Sequence, residues 1–342
     1  MERRKFVKMA GMASVAATTG MAGCQGDGNG TEDGSPTGNG TLSGGGAARY
    51  NPWVLADAAD GSEAFAISID WQANTAMGDG EQTATEDPEL QNDVLAVTPM
   101  SWLVFAAFAV GFGLSQLGLG DATKEEGPTE YVHIASGGTI FEGSYDTDSY
   151  GDSVEQAGAS EVEDYNGYTL YEMSGTQNAV IGLSSETLVV VQASSDGVSD
   201  PMARAKALID ADAGNAALLS DEAEPFDDIV NALPNRDVMG GVYSSEAEPL
   251  NKSTGDSEGG QTGFAQTDLD GEVNALATSA DISQDGMTSA IALRYASESE
   301  VNAKADIEAA IGGMASNQSV TIDGTLVVIE GEYDAIPSLS SN

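Results

Sequence analysis

The chain has one cysteine, Cys24, and one histidine, His133, in 342 residues. A single thiol excludes an internal disulfide, a thiol redox pair and a cysteine-based metal site. A single imidazole excludes a histidine cluster and leaves any cysteine nucleophile one candidate base. Bases are scarce: 12 Lys and Arg stand against 55 Asp and Glu, a formal charge of −43. Such a surface repels polyanions, so nucleic acid and anionic lipid are excluded as direct partners. No Gly-rich phosphate loop, G-x-S-x-G elbow or H-E-x-x-H helix occurs, and the residues propose no catalytic group, cofactor or metal site.

What is present is concentrated first at the N-terminus, MERRKFVKMAGMASVAATTGMAGC. Paired Arg3 and Arg4, followed by Phe6, precede a short, mildly apolar stretch from Met9 to Gly20 and then Met21-Ala22-Gly23-Cys24. The stretch is too short and too mild for a spanning helix and reads as a removable signal, residues 1–23. The arginine pair with Phe6 resembles a twin-arginine export signal, and the small residues before Cys24 resemble a lipobox. Together they resemble the twin-arginine-exported lipoproteins of salt-loving archaea. Glu2, Val7 and Met21 depart from the commonest forms of these motifs. The resemblance implies lipid attachment at Cys24 and a place on the outer face of the cytoplasmic membrane. One acyl chain binds membrane only marginally, so stable retention needs a second chain or another contact.

Loss of residues 1–23 removes four bases and one acid, leaving 54 acids, 8 bases and a net charge of −46. At about 1 M salt the Debye length is about 3 Å, which screens most of the self-repulsion such a chain carries. The charge therefore suits a high-salt organism. Residues 25–47 are nearly all Gly, Ser, Thr, Asn and acids and read as a flexible tether, with a reach of roughly 25 Å. Asn29 and Asn39 head glycosylation sequons within it, and Asn251 and Asn317 head two more.

Periodicity predicts an α+β fold whose antiparallel sheets are built from hairpins with helices on one face. Phe65, Ile67, Ile69 and Trp71 alternate as in a half-buried strand, and 73–90 reads as a polar loop. From Val94 to Gly120 no residue is charged, and an apolar helix is expected near 100–119. It reads as a core helix, a membrane-inserted helix, or one wall of a pocket for an apolar ligand. Asn166-Gly167, Ser184–Glu186, Asp285-Gly286 and Asp323-Gly324 mark hairpins. Asp200-Pro201 opens one helix, Ser220 is expected to cap another, and Ser297 with Glu300 forms a capping-box pattern before a third. Thr139–Met173 and Met287–Glu332 share the order strand, helix, strand, turn, strand, as two related units or as a chance of pattern. The expected division is an α+β domain over 48–243, a linker over 244–262 and a smaller α+β domain over 263–342.

His133 reads as a structural histidine in a strand. Asp146, Asp148, Gly151 and Asp152 are a poor calcium-loop match, because Ala157 stands where a carboxylate is expected. Asp268 and Asp270 before Gly271 read as solvated turns, and Arg204, Arg236 and Arg294 as structural ion-pair partners. The functional expectation is a non-catalytic, lipid-anchored surface protein that binds a protein partner at the cell surface or serves the envelope. The alternative is a lipoprotein that binds a small solute or apolar ligand for a membrane transporter.

Overall fold

The structure is a computed structural model that describes residues 47–59, 63–76, 84–85, 87, 89–117, 119, 128–173, 178–193, 198–249, 269–283 and 285–337. The export signal, Cys24, residues 25–46 of the tether and all of 250–268 lie outside them.

The fold is α+β. One sheet of twelve strands dominates: β1 (Glu63–Asp70), β3 (Thr129–Ala135), β4 (Gly138–Gly143), β5 (Ser160–Tyr165), β6 (Tyr168–Met173), β7 (Ala179–Leu183), β8 (Thr187–Gln192), β9 (Val238–Pro249), β10 (Glu272–Ser283), β11 (Gly286–Tyr295), β12 (Ser316–Asp323) and β13 (Leu326–Tyr333). A two-residue pair, β2 (Ala84–Thr85) with β14 (Ile336–Pro337), lies apart from it. The order is β12-β13-β11-β10-β9-β1-β3-β4-β8-β7-β6-β5. Every neighbour in it is antiparallel. The expected hairpins form where turn chemistry demands them. Asn166 and Gly167 take φ of 48° and 88°, the left-handed pair of a type I′ turn.

The first strand among the described residues, β1, sits in the middle of the sheet, pairing β3 on one side and β9 on the other. This explains its burial pattern. Ala64 and Ala66 join a core on one face, while Ile67 and Ile69 join a core on the other. Helices cover both faces, which corrects the expectation of helices on one. The first face carries residues 48–55, α4 (Pro201–Asp212), α5 (Leu219–Glu222) and α6 (Glu224–Ala232). The second carries α2 (Val94–Gln116), α3 (Thr147–Gln156) and α7 (Lys304–Ala310). The short α1 (Trp71–Ala76) follows β1 directly.

Residues 244–249, expected as the start of a linker, instead continue β9, and Val273 and Leu276 of β10 pair with Glu248 and Val242. The sheet thus runs unbroken from the expected larger unit into the smaller one. Both segments of the suspected repeat keep their order, β4-α3-β5-β6 and β11-α7-β12-β13. Their placement differs: β11 pairs directly with β13, whereas β8 and β7 lie between β4 and β6. The Ser220 cap is not formed. Ser220 lies inside α5, and α6 starts afresh after Ala223 with Pro225 in its first turn. The Ser297 pattern opens only a 3-10 turn, Glu298–Glu300, and Ser297 makes no side-chain cap bond.

The apolar helix starts six residues before the expected Met100, because Asp93 caps it. Asp93 accepts from Leu95 N at 3.1 Å and, across the fold, from Gly312 N and Met314 N at 3.0 Å each. Pro99 falls inside the helix. An interior proline costs ~3 kcal/mol, because it leaves the carbonyl four residues back without a donor. Here that carbonyl is Leu95 O, and the Ser289 hydroxyl on β11 donates to it at 2.6 Å. Burial offsets the remainder: Leu95, Trp102, Leu103, Ala106, Val110 and Leu114 are all buried against the sheet, and a fully buried large apolar side chain is worth ~1.5–3 kcal/mol. The helix joins two cores, one under β9–β13 and one under β3–β8. At about 1.5 Å per residue its length is close to that of seven strand spacings. Among the described residues no helix is long and apolar enough to cross a membrane. Most described side chains of α2 are buried, while Ser101 is exposed and Val97, Val104, Phe105 and Ala107 are half-buried.

Two successive glycines in β9 show how closely the layers approach. A Cβ on Gly240 would lie 2.7–2.9 Å from three indole atoms of Trp102 on the second face. A Cβ on Gly241 would overlap the Tyr50 hydroxyl on the first. Adjacent strand residues point to opposite faces, so Gly240-Gly241 notches the sheet once on each side.

Candidate functional site

The register gathers chemistry-bearing residues on the first face. His133 on β3 lies opposite Ser68 on β1, and Tyr131 lies opposite Glu142 on β4. Trp53, in the 3-10 turn Asn51–Trp53, stacks on the His133 ring at 6.2 Å and 28°. Its indole N–H donates to Glu142 Oε1 at 3.2 Å, and His133 Nε2 lies 3.3 Å from the same oxygen. The imidazole is near enough for an ion pair but off the line of a hydrogen bond, so both ring nitrogens lack a bonded partner. Arg49 lies over the Tyr131 ring, 4.1 Å from its centroid. Burial raises the Glu142 carboxyl, but His133, the Trp53 N–H and Arg49 outweigh it and hold the group below its ordinary value.

Ser68, His133 and Glu142 have the residue types of a nucleophile, base and orienting acid. Their arrangement does not supply the chemistry. Ser68 is 1% and His133 0% exposed, and neither hydrogen-bonds the other. A nucleophile needs that bond and a path for substrate. Trp53 and the segment around it close the path from above. The same face holds further buried orphans, the hydroxyls of Tyr50 and Ser279. Burial pushes the Tyr50 phenol far above its ordinary value.

A second concentration lies where β9 begins, at the turn between β10 and β11 and at the end of β13. Asp237, Asp281, Asp285, Glu332 and Asp334, with Ser283 and Thr288, line an open cleft of about 510 Å³. Arg236 reaches Asp281 Oδ2 at 3.5 Å and Glu330 Oε1 at 3.3 Å. Burial first, then the charges of Asp281 and Asp70, push the Asp237 carboxyl up, against the Ile282 N–H that it accepts at 3.2 Å. Among the described residues no three His, Cys, Asp or Glu side chains stand in metal-holding geometry. The cleft is an acidic, open surface, with Arg236 beside its lining.

The sequence-level candidates fall as follows. Arg3, Arg4, Phe6, Cys24, Asn29, Asn39, Asn251 and Asp268 lie outside the described residues. Asp146 caps α3 through Ser149 N at 3.2 Å, and Asp148, Gly151 and Asp152 are helical, so no calcium loop forms there. Gly271 turns the chain into β10 with φ of 112°. Arg204 grips Asp57 through two bonds of 2.7 and 3.1 Å. Arg294 holds Asp228 at 2.5 Å and approaches Glu224 at 3.9 Å. With Arg236 these are separate ion pairs and no two converge on one acid. Sequence reasoning missed Glu142, Trp53 and Ser68. Ser68 falls on the phase opposite Ile67 and Ile69, which a half-buried strand would leave in solvent, and its strand neighbour His133 lies 65 positions away.

No family model matches this chain, and no curated protein does. Among solved structures, crystal forms I, III and IV of TP0453 are similar to it, at 13%, 11% and 10% identity and TM-scores of 0.41, 0.37 and 0.37. Each covers 86% of this chain and 91%, 92% and 91% of its own. Likeness at that distance carries no argument about fold or activity.

Proposed function

We propose that this is an exported surface lipoprotein, held on the outer face of the cytoplasmic membrane by a lipid on Cys24, with a non-catalytic partner-binding or envelope role in a high-salt organism. The observation that carries this reading is the placement of α2. The one segment whose composition competes for the membrane packs on the sheet through Leu95, Leu103, Ala106, Val110 and Leu114. Packing of those five side chains on the sheet supports a structural or partner-binding domain more than an apolar-ligand carrier. Membrane attachment then rests on the lipid at Cys24, with the Gly-rich tether spacing the domain from the surface. The alternative is a lipoprotein that delivers a small solute to a transporter, and the open cleft beside Asp281 is the feature in its favour.

Mass spectrometry of protein purified from its own cells in molar salt tests both. The expected N-terminal peptide begins at a lipidated Cys24 and no small molecule co-purifies. An unprocessed N-terminus overturns the anchored reading, and a retained stoichiometric solute overturns the non-carrier role.

A further inference from the structure

Among the described residues the sheet ends in two edges with no neighbouring strand, and such edges must keep other strands from adding to them. The edges here differ. β5, SEVEDY, carries Glu161, Glu163 and Asp164, with Lys206 paired to Glu163 at 2.7 Å. Each leaves one apolar side chain exposed, Val162 on β5 and Ile322 on β12, but β12, SNQSVTID, has one charge, Asp323 at its end. Within that uncharged stretch stands Asn317-Gln318-Ser319, the one glycosylation sequon among the described residues.

Its geometry fits an acceptor. The β12–β13 register slips between Ser316 and Ser319, so Asn317 sits in a bulge rather than a ladder position. Its φ is 52°, and both Asn317 and Ser319 are exposed. The Asn317 amide Nδ2 donates to Glu332 Oε2 at 2.8 Å. An amide nitrogen has two protons, so one can be replaced while the other keeps that bond.

We propose that Asn317 is an N-glycan acceptor, and that its sugar protects the β12 edge as carboxylates protect β5. The inference rests on the export reading, because the sequon is used outside the cytoplasm and a chain exported folded can be modified only where the fold exposes it. The transfer is a substitution. Nδ2 bonds to C1 of a lipid-phosphate-linked oligosaccharide, and the C1–O bond to the phosphate breaks. The lipid phosphate leaves with that electron pair, and one Nδ2 proton passes to a base of the transferase.

The test uses the full chain from its producing cells. No Lys or Arg follows Lys304, so trypsin releases Ala305–Asn342 with this sequon alone. The expected peptide is heavier by one or more sugar residues. The increment should vanish completely in Asn317→Gln and in Ser319→Ala, which leaves the Asn317–Glu332 bond in place, and return in Ser319→Thr. An unmodified peptide from protein whose N-terminus has been processed to Cys24 overturns this inference alone. An unmodified peptide with an intact Met1 overturns it together with the export reading. Sedimentation in molar salt tests the shielding role: the two sugar-free variants should self-associate where the glycosylated chain is monomeric, and monomeric variants overturn that role.

Discussion

Two polar clusters, one on each face of the sheet, are differently finished. On the second face Asp93 and Ser289 at the helix start are used, although Trp102 Nε1, Thr278 Oγ1 and the Tyr333 hydroxyl on that face are buried without a hydrogen-bond partner. Asp93 holds three backbone N–H groups, and Ser289 supplies the bond that Pro99 removes. On the first face Ser68, Ser279, Tyr50 and both nitrogens of His133 are buried without a hydrogen-bond partner. Each buried orphan costs ~1–3 kcal/mol. The difference teaches that burial alone does not measure what a polar residue contributes; the partner does.

The sharpest test is Asp93→Ala, which removes a helix cap and strands two further N–H groups. It should cost about 3 kcal/mol or more in denaturant unfolding, and a loss under ~1 kcal/mol would show that water replaces the carboxylate. Next is the glycine pair. Gly240→Ala and Gly241→Ala should each cost roughly 1–3 kcal/mol by overpacking. They should differ in rescue: Tyr50→Phe removes the hydroxyl that a Cβ at 241 would meet and should restore Gly241→Ala while leaving Gly240→Ala unchanged. Rescue of both, or of neither, would break the assignment of one notch to each face.

The serines form the third test. Ser289→Ala should lose about 1–2 kcal/mol by leaving Leu95 O bare. Ser68→Ala and Ser279→Ala should fall within about 0.5 kcal/mol of the parent or above it, because each removes an orphan. Equal losses at all three would mean the first-face hydroxyls have partners in solution.

The smallest effects are in pH. The Glu142 carboxyl is held below its ordinary value, so its contribution is complete above the unfolded pKa, roughly 4–4.5, and is lost as pH falls through the folded one. Glu142→Gln should flatten the acid limb of stability against pH. Asp237 is shifted the other way, so it favours the fold at low pH and loses that contribution as pH rises through its folded value. Asp237→Asn, which keeps an acceptor for Ile282 N, should raise the neutral-pH unfolding midpoint slightly. The gain should shrink in molar salt, where Asp281 and Asp70 are screened.

Much of the architecture was readable from local signals. Asn166-Gly167 and Asp285-Gly286 place hairpins because backbone strain at a turn is a property of the turn residues. The Asp200-Pro201 start of α4 held for the same reason, with Asp200 accepting from Ala203 N at 3.0 Å. Signals that needed a distant partner were unreadable. Ser220 is a different case, a local misreading, since Pro225 five residues on restarts the helix. Gly240-Gly241 looks like a weakness in a strand until Trp102 and Tyr50 arrive from two other layers. The first-face cluster joins Trp53, Ser68, His133 and Glu142, and only the pairing of β1, β3 and β4 brings three of these together.

The sequence by itself determined the acidic surface, the single thiol and imidazole, the hairpin positions and the α+β class, because composition, turn strain and hydrophobic period are local quantities. The tertiary structure decided that β1 lies at the centre of one twelve-stranded sheet and that helices cover both of its faces. It also decided that the uncharged helix is stowed on the sheet. Those outcomes depend on which strand edges meet and what each face buries, and no residue carries that information alone.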